Sequence, residues 1–67
     1  MTAVELLQEL RVEQSTLVPL VERVATTGNP FVVVSPNAVT RWSQTEPKQW
    51  AHVREWFREH GITLITI

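Results

Sequence analysis

Apolar residues recur along the first third of the chain with a helical period. At 100° per residue, Leu6, Leu7, Leu10, Gln14, Leu17, Val18, Val21, Val24 and Ala25 fall on one broad stripe. Glu5, Glu9, Glu13, Thr16 and Arg23 lie opposite. Thr2-Ala3-Val4-Glu5 has the spacing of a capping box, which starts a helix at Ala3. Pro19 interrupts the stripe, and a proline in a helix interior costs ~3 kcal/mol. Two helices over about 3–14 and 16–26 avoid that cost. Ser15 or Thr16 then caps the second, and Pro19 falls in its first turn. One kinked helix over 3–26 is the alternative.

Past Gly28-Asn29-Pro30, a stop and turn, the pattern changes. Phe31-Val32-Val33-Val34 is apolar throughout, with three β-branched residues and no alternation, as expected of a strand covered on both faces. Ser35-Pro36 reads as an N-cap and first helical residue, opening a short helix that holds Ala38, Val39, Arg41 and Trp42. Thr45 is the expected cap of the next helix, with Pro47 in its first turn. There Trp50, Val53, Trp56, Phe57 and His60 share one face, opposite Lys48, Ala51, Glu55, Arg58 and Glu59. Gly61 supplies the left-handed stop, and Ile62-Thr63-Leu64-Ile65-Thr66-Ile67 reads as a second strand.

The expected fold is a small α/β domain over residues 1–67: an N-terminal helix or broken helix pair, then a β-α-β unit with two parallel strands. A right-handed crossover joins them. Two strands make a marginal sheet in which both are edges. A chain of 67 residues also buries only about 60% of its unfolded surface. Both arguments predict that a second copy completes the sheet, by extending it or by swapping helices across a two-fold axis.

Composition narrows the function. There are no cysteines, which removes disulfides and thiolate zinc sites and fits a reducing compartment. The net charge of −1 offers no general attraction to nucleic acid or anionic lipid. Residues 1–30 set Glu5, Glu9, Glu13 and Glu22 against Arg11 and Arg23, a balance of −2. Residues 31–67 set Arg41, Lys48, Arg54 and Arg58 against Glu46, Glu55 and Glu59, a balance of +1. No apolar run reaches the ~18 residues of a membrane span and no signal pattern follows Met1, so a cytoplasmic protein without membrane contact is expected.

Catalytic chemistry finds little footing. His52 and His60 stand eight residues apart on one helix, about 12 Å, too far to share a metal ion. Ser15, Ser35 and Ser43 each stand where a cap is wanted. Gly28 and Gly61 are isolated, so no phosphate loop forms. No enzyme activity, cofactor or metal is expected. Three tryptophans suit both a small core and a binding surface. Trp50 belongs with the core stripe. Trp42 and Trp56, with Ile65 and Ile67 on the last strand, are the residues expected to meet a partner.

Ser35-Pro36-Asn37-Ala38-Val39-Thr40-Arg41-Trp42 resembles the start of the recognition helix in phage-repressor-type helix-turn-helix proteins. In that family the serine caps the helix, the alanine and valine face inward, and the intervening polar residues meet DNA. The resemblance implies Asn37, Thr40 and Arg41 as reading residues, arginine suiting guanine and asparagine adenine. It spans eight residues of 67, and the family requires a helix where residues 28–34 read as turn and strand. The order of valine-rich strand, arginine-bearing loop, helix, glycine and strand is also similar to the late part of the resolvase catalytic domain, whose catalytic serine segment has no counterpart here. The leading expectation is a homo-oligomeric binding module in a regulatory or accessory role. A DNA-binding regulator using Ser35–Trp42 is the alternative.

Overall fold

The computed structural model describes all residues from Met1 to Ile67. The elements are α1 (Ala3–Val12), α2 (Val18–Thr27), β1 (Phe31–Val34), α3 (Pro36–Thr45), α4 (Pro47–Glu59) and β2 (Thr63–Thr66). β1 and β2 pair in parallel, with Phe31 opposite Thr63, Val32 opposite Leu64, Val33 opposite Ile65 and Val34 opposite Thr66. This is the α/β fold expected, helix-rich and with an open sheet.

Local chemistry accounts for most of the boundaries. Thr2 and Glu5 form the capping box, each side chain engaging the other's backbone amide. Ser35 caps α3 by accepting from the Ala38 amide at 3.1 Å, with Pro36 in the first turn. Gly28 and Gly61 take positive φ of 67° and 66°, a backbone that glycine adopts without the Cβ clash other residues meet.

Between α1 and α2 the chain breaks completely, so the kinked single helix does not form. α1 ends at Val12, and Gln14 turns the chain with φ 55°. The second helix begins at Val18 rather than 16, and its N-cap, Leu17, contributes no side-chain bond. Ser15 instead accepts from the Leu17 amide at 3.0 Å. Its hydroxyl donates to Glu46. Thr16 donates to the same carboxylate through both amide and hydroxyl.

Glu46 also corrects the expected cap of α4. Thr45 closes α3, donating to the Arg41 carbonyl at 2.8 Å. Glu46 occupies both the C-cap of α3 and the N-cap of α4. Its carboxylate is committed elsewhere, pinning the α3–α4 corner to the α1–α2 corner. Partial burial pushes this carboxyl up, but hydrogen bonds from Ser15 and Thr16 outweigh that and hold it below the ordinary glutamate value. A lowered folded-state pKa stabilises the fold above the unfolded value of ~4.3 and is lost as pH falls through the folded one. Glu46→Ala is expected to cost about 1–2 kcal/mol at pH 7, discounted for solvent access. That difference from the parent should shrink in urea titrations as pH falls through the lowered folded-state value.

The core lies under one face of the sheet. Leu6, Leu10, Leu17, Leu20, Val21, Val24, Val32, Val34, Trp50, Val53, Trp56 and Phe57 form a single buried cluster. α1 and α4 run antiparallel across it, joined by Met1 amine to Glu59 at 3.3 Å, Glu9 to His52 at 3.0 Å, and Glu13 to Gln49. Leu6 and Leu10 of α1 and Trp50, Val53, Trp56 and Phe57 of α4 point into the seam.

The expectation of a strand covered on both faces is overturned. Val32 and Val34 are buried, whereas Phe31 is 50% and Val33 43% exposed. Successive side chains of a strand point to opposite faces, and every helix that buries the sheet lies on the Val32–Val34 side. The unbroken apolar run therefore records one covered face and one bare one.

Candidate interaction surface

The bare face is built by the pleat. Register places Phe31 beside Thr63 and Val33 beside Ile65, so these four residues share the side turned away from the helices. Ile65 is 38% exposed, and Ile67, just past the strand, 81%. No charged side chain belongs to the set. A contiguous apolar patch of this kind marks a contact surface more often than a scattered exposed residue does.

A second feature borders β1. The amides of Thr63 and Ile67 donate to the carbonyls of Pro30 and Val34 at 2.8 and 3.3 Å. The alternation of a parallel ladder then turns the N–H and C=O groups of Phe31 and Val33 away from β2, to a free edge. Along that edge run two depressions of about 240 and 470 Å³. Arg23 and Val33 line both, which makes them one trough between α2, β1 and the start of α3.

The structure separates the residues expected to meet a partner. Ile65 lies on the bare face and Ile67 at its end, so both are presented. Trp56 is 3% exposed, packed on Phe57 at 5.6 Å and His60 at 5.1 Å between ring centroids. Its assignment as a contact residue gives way to a core role within its own chain. Trp42 is half-buried, packed against the buried Trp50 with ring centroids 5.0 Å apart and planes tilted by 37°, and one side open to the trough. Phe31, Val33 and Arg23 were not singled out by sequence. Picking the first two requires knowing which face the helices leave bare.

Asn37, Thr40 and Arg41 are exposed on α3 at helical spacing, so they share one side of it. β1 stands where the helix-turn-helix arrangement places its preceding helix.

Each glutamate side chain has a neighbour within the chain: Glu5 has Thr2, Glu9 has His52, Glu13 has Gln49, Glu22 has Arg11, Glu46 has Ser15 and Thr16, Glu55 has Arg58, and Glu59 has the Met1 amine. Arg58 also draws the Glu55 carboxyl below its ordinary range, by hydrogen bond and charge. Arg23, Arg41, Lys48 and Arg54 have no carboxylate partner, though Arg54 lies 5.8 Å over the Trp50 ring. Glu22, Glu55 and Glu59 are each balanced by a cation, whereas Glu5, Glu13 and Glu46 are held by neutral groups.

No group of three or more histidine, cysteine, aspartate or glutamate side chains is placed to hold a metal ion. No helix is long and apolar enough to cross a membrane. Comparison with family models, curated proteins and solved structures finds no match.

Proposed function

We propose that the chain is a small non-enzymatic binding module that works as a homo-oligomer, a dimer at its simplest, in a regulatory or accessory role in the cytoplasm. The observation that carries this reading is the bare apolar sheet face of Phe31, Val33 and Ile65, continued by Ile67. A second copy suits it for a specific reason. In a two-fold contact each residue near the axis meets its own symmetry mate, so a charged patch repels itself and an uncharged one does not. Two such faces stacked at the ~10 Å spacing of packed sheets give a helix–sheet–sheet–helix sandwich with a second, intermolecular core. Sedimentation equilibrium tests this: the mass should exceed 7.7 kDa and rise with concentration. A mass of 7.7 kDa up to millimolar protein would sink it.

The DNA-binding alternative draws on the exposed trio Asn37, Thr40 and Arg41 and on the unpaired Arg41 guanidinium. A DNA reader loses ~1–3 kcal/mol of specific affinity on Arg41→Ala, and its retention falls steeply with salt. On the homo-oligomer reading, no duplex DNA is retained at 150 mM salt (roughly physiological ionic strength) and Arg41→Ala leaves the oligomer mass unchanged.

A further inference from the structure

We infer that the trough along the free edge of β1 receives an extended acidic peptide segment, which adds to the sheet as a third strand and sets a carboxylate against Arg23. The inference rests on the reading of the chain as a binding module and names the class of ligand. It uses a different surface from self-association, the strand's edge rather than its bare face.

Three observations converge on it. The edge itself comes first. Phe31 and Val33 turn two N–H donors and two C=O acceptors away from β2, and no other group of the chain bonds them. Backbone groups at a strand edge are a template for another strand, and pairing there is indifferent to side-chain identity. Edge pairing thus supplies affinity without specifying the partner.

Shape is the second. An extended peptide needs room beside the edge, and α2 stands off from β1 far enough to leave the two depressions. The nearer one, toward Thr27 and Phe31, and the farther one, toward Pro19 and Trp42, lie in succession along the strand direction. Residues i and i+2 of an added strand project to the same side about 6.6–7 Å apart, so alternate side chains enter successive depressions. The farther depression offers Pro19, Leu20 and the open side of Trp42 to an apolar side chain.

Charge is the third, and it selects the occupant. Arg23 lines both depressions and has no carboxylate partner. The seven glutamate side chains of a second copy each have a neighbour in their own chain, which favours a segment from another protein as the source of the carboxylate. A segment from another protein, carrying Asp or Glu between apolar residues, satisfies the guanidinium by a bidentate pair.

The probes are two synthetic pools of octapeptides, randomised over Val, Ile, Thr and Leu, with residue four fixed as Glu in one and Lys in the other. Titration into uniformly ¹⁵N-labelled protein is followed by amide shifts. The Glu pool is expected to give saturable shifts at Phe31, Val33 and the Arg23 side chain. The Lys pool, and the Glu pool against Arg23→Gln, should bind at least 5-fold more weakly. Arg23 is exposed, so this variant keeps its fold. N-methylating alternate amides of the Glu pool should abolish binding in one register and spare it in the other. Equal binding of both pools overturns the carboxylate assignment and with it the inference. Shifts confined to Leu64 and Thr66, to α3 or to Ile65 and Ile67, or no saturation, overturn it as well. Sedimentation of the same samples reports self-association separately, so either reading can fail while the other holds.

Discussion

Trp56→Ala is expected to leave the chain unfolded at 25 °C. The indole is 3% exposed in the seam between α1 and α4, and removing a buried tryptophan side chain costs about 3–5 kcal/mol in transfer and cavity terms. A 67-residue domain has on the order of 3–10 kcal/mol in total, so one such loss consumes most of the margin. Trp56→Phe is the informative companion. The indole N–H is buried and has no hydrogen-bond partner, and an unpaired buried donor is itself unfavourable by ~1–3 kcal/mol. Phenylalanine keeps much of the ring volume and removes the orphan donor. It should therefore lose less than about 1.5 kcal/mol, far below the alanine value. Urea denaturation followed by far-ultraviolet circular dichroism reads both. Similar losses for the two variants would show that the seam requires the full indole volume, which phenylalanine does not restore.

Val33→Asp should keep the fold and abolish self-association. Val33 points away from the helices and is 43% exposed, so a carboxylate there stays hydrated in the isolated chain. Near a two-fold axis the same substitution sets two negative charges face to face in a desolvated contact, worth several kcal/mol of repulsion. At 1.4 kcal/mol per tenfold, that weakens the dimer by at least ~100-fold. Sedimentation should return 7.7 kDa with an unchanged circular dichroism spectrum. An undiminished mass would place the contact elsewhere.

The structure explains which features the sequence could disclose. Capping at Thr2–Glu5 and Ser35, the turn glycines and the β-branched runs that form strands are local events, decided by residues within a few positions of each other. Coverage of β1 is a tertiary event. Phe31-Val32-Val33-Val34 is compatible with two covered faces or with one face covered by its own helices and one by a partner, and only the position of the helices separates these. Glu46 enters the sequence reading only through the charge balance, yet its carboxylate reaches back 31 and 30 residues to Ser15 and Thr16. Nothing in its neighbours announces that reach. The same holds for Trp56, placed on the right face of its helix by periodicity but buried by α1 rather than left for a partner.

Candidate sites divide the same way. Ile65 and Ile67 are conspicuous without coordinates because they belong to a β-branched strand at an open sheet edge, and the structure leaves both exposed. Phe31 and Val33 were taken for core because the pattern lacked the polar alternation of a strand exposed to water. That missing alternation leaves Phe31 and Val33 exposed on the side opposite the buried Val32 and Val34. Arg23 lay on the polar side of a helix like any solvated residue. Its position over the edge of β1 depends on the turn at Gly28-Asn29-Pro30, which folds α2 back alongside the strand.

The most direct test mixes ¹³C-labelled and unlabelled protein in equal amounts and records isotope-filtered nuclear Overhauser effects between copies. The account predicts intermolecular cross-peaks among Phe31, Val33, Ile65 and Ile67. Cross-peaks confined to the exposed side of α3, or none at millimolar protein, would contradict it.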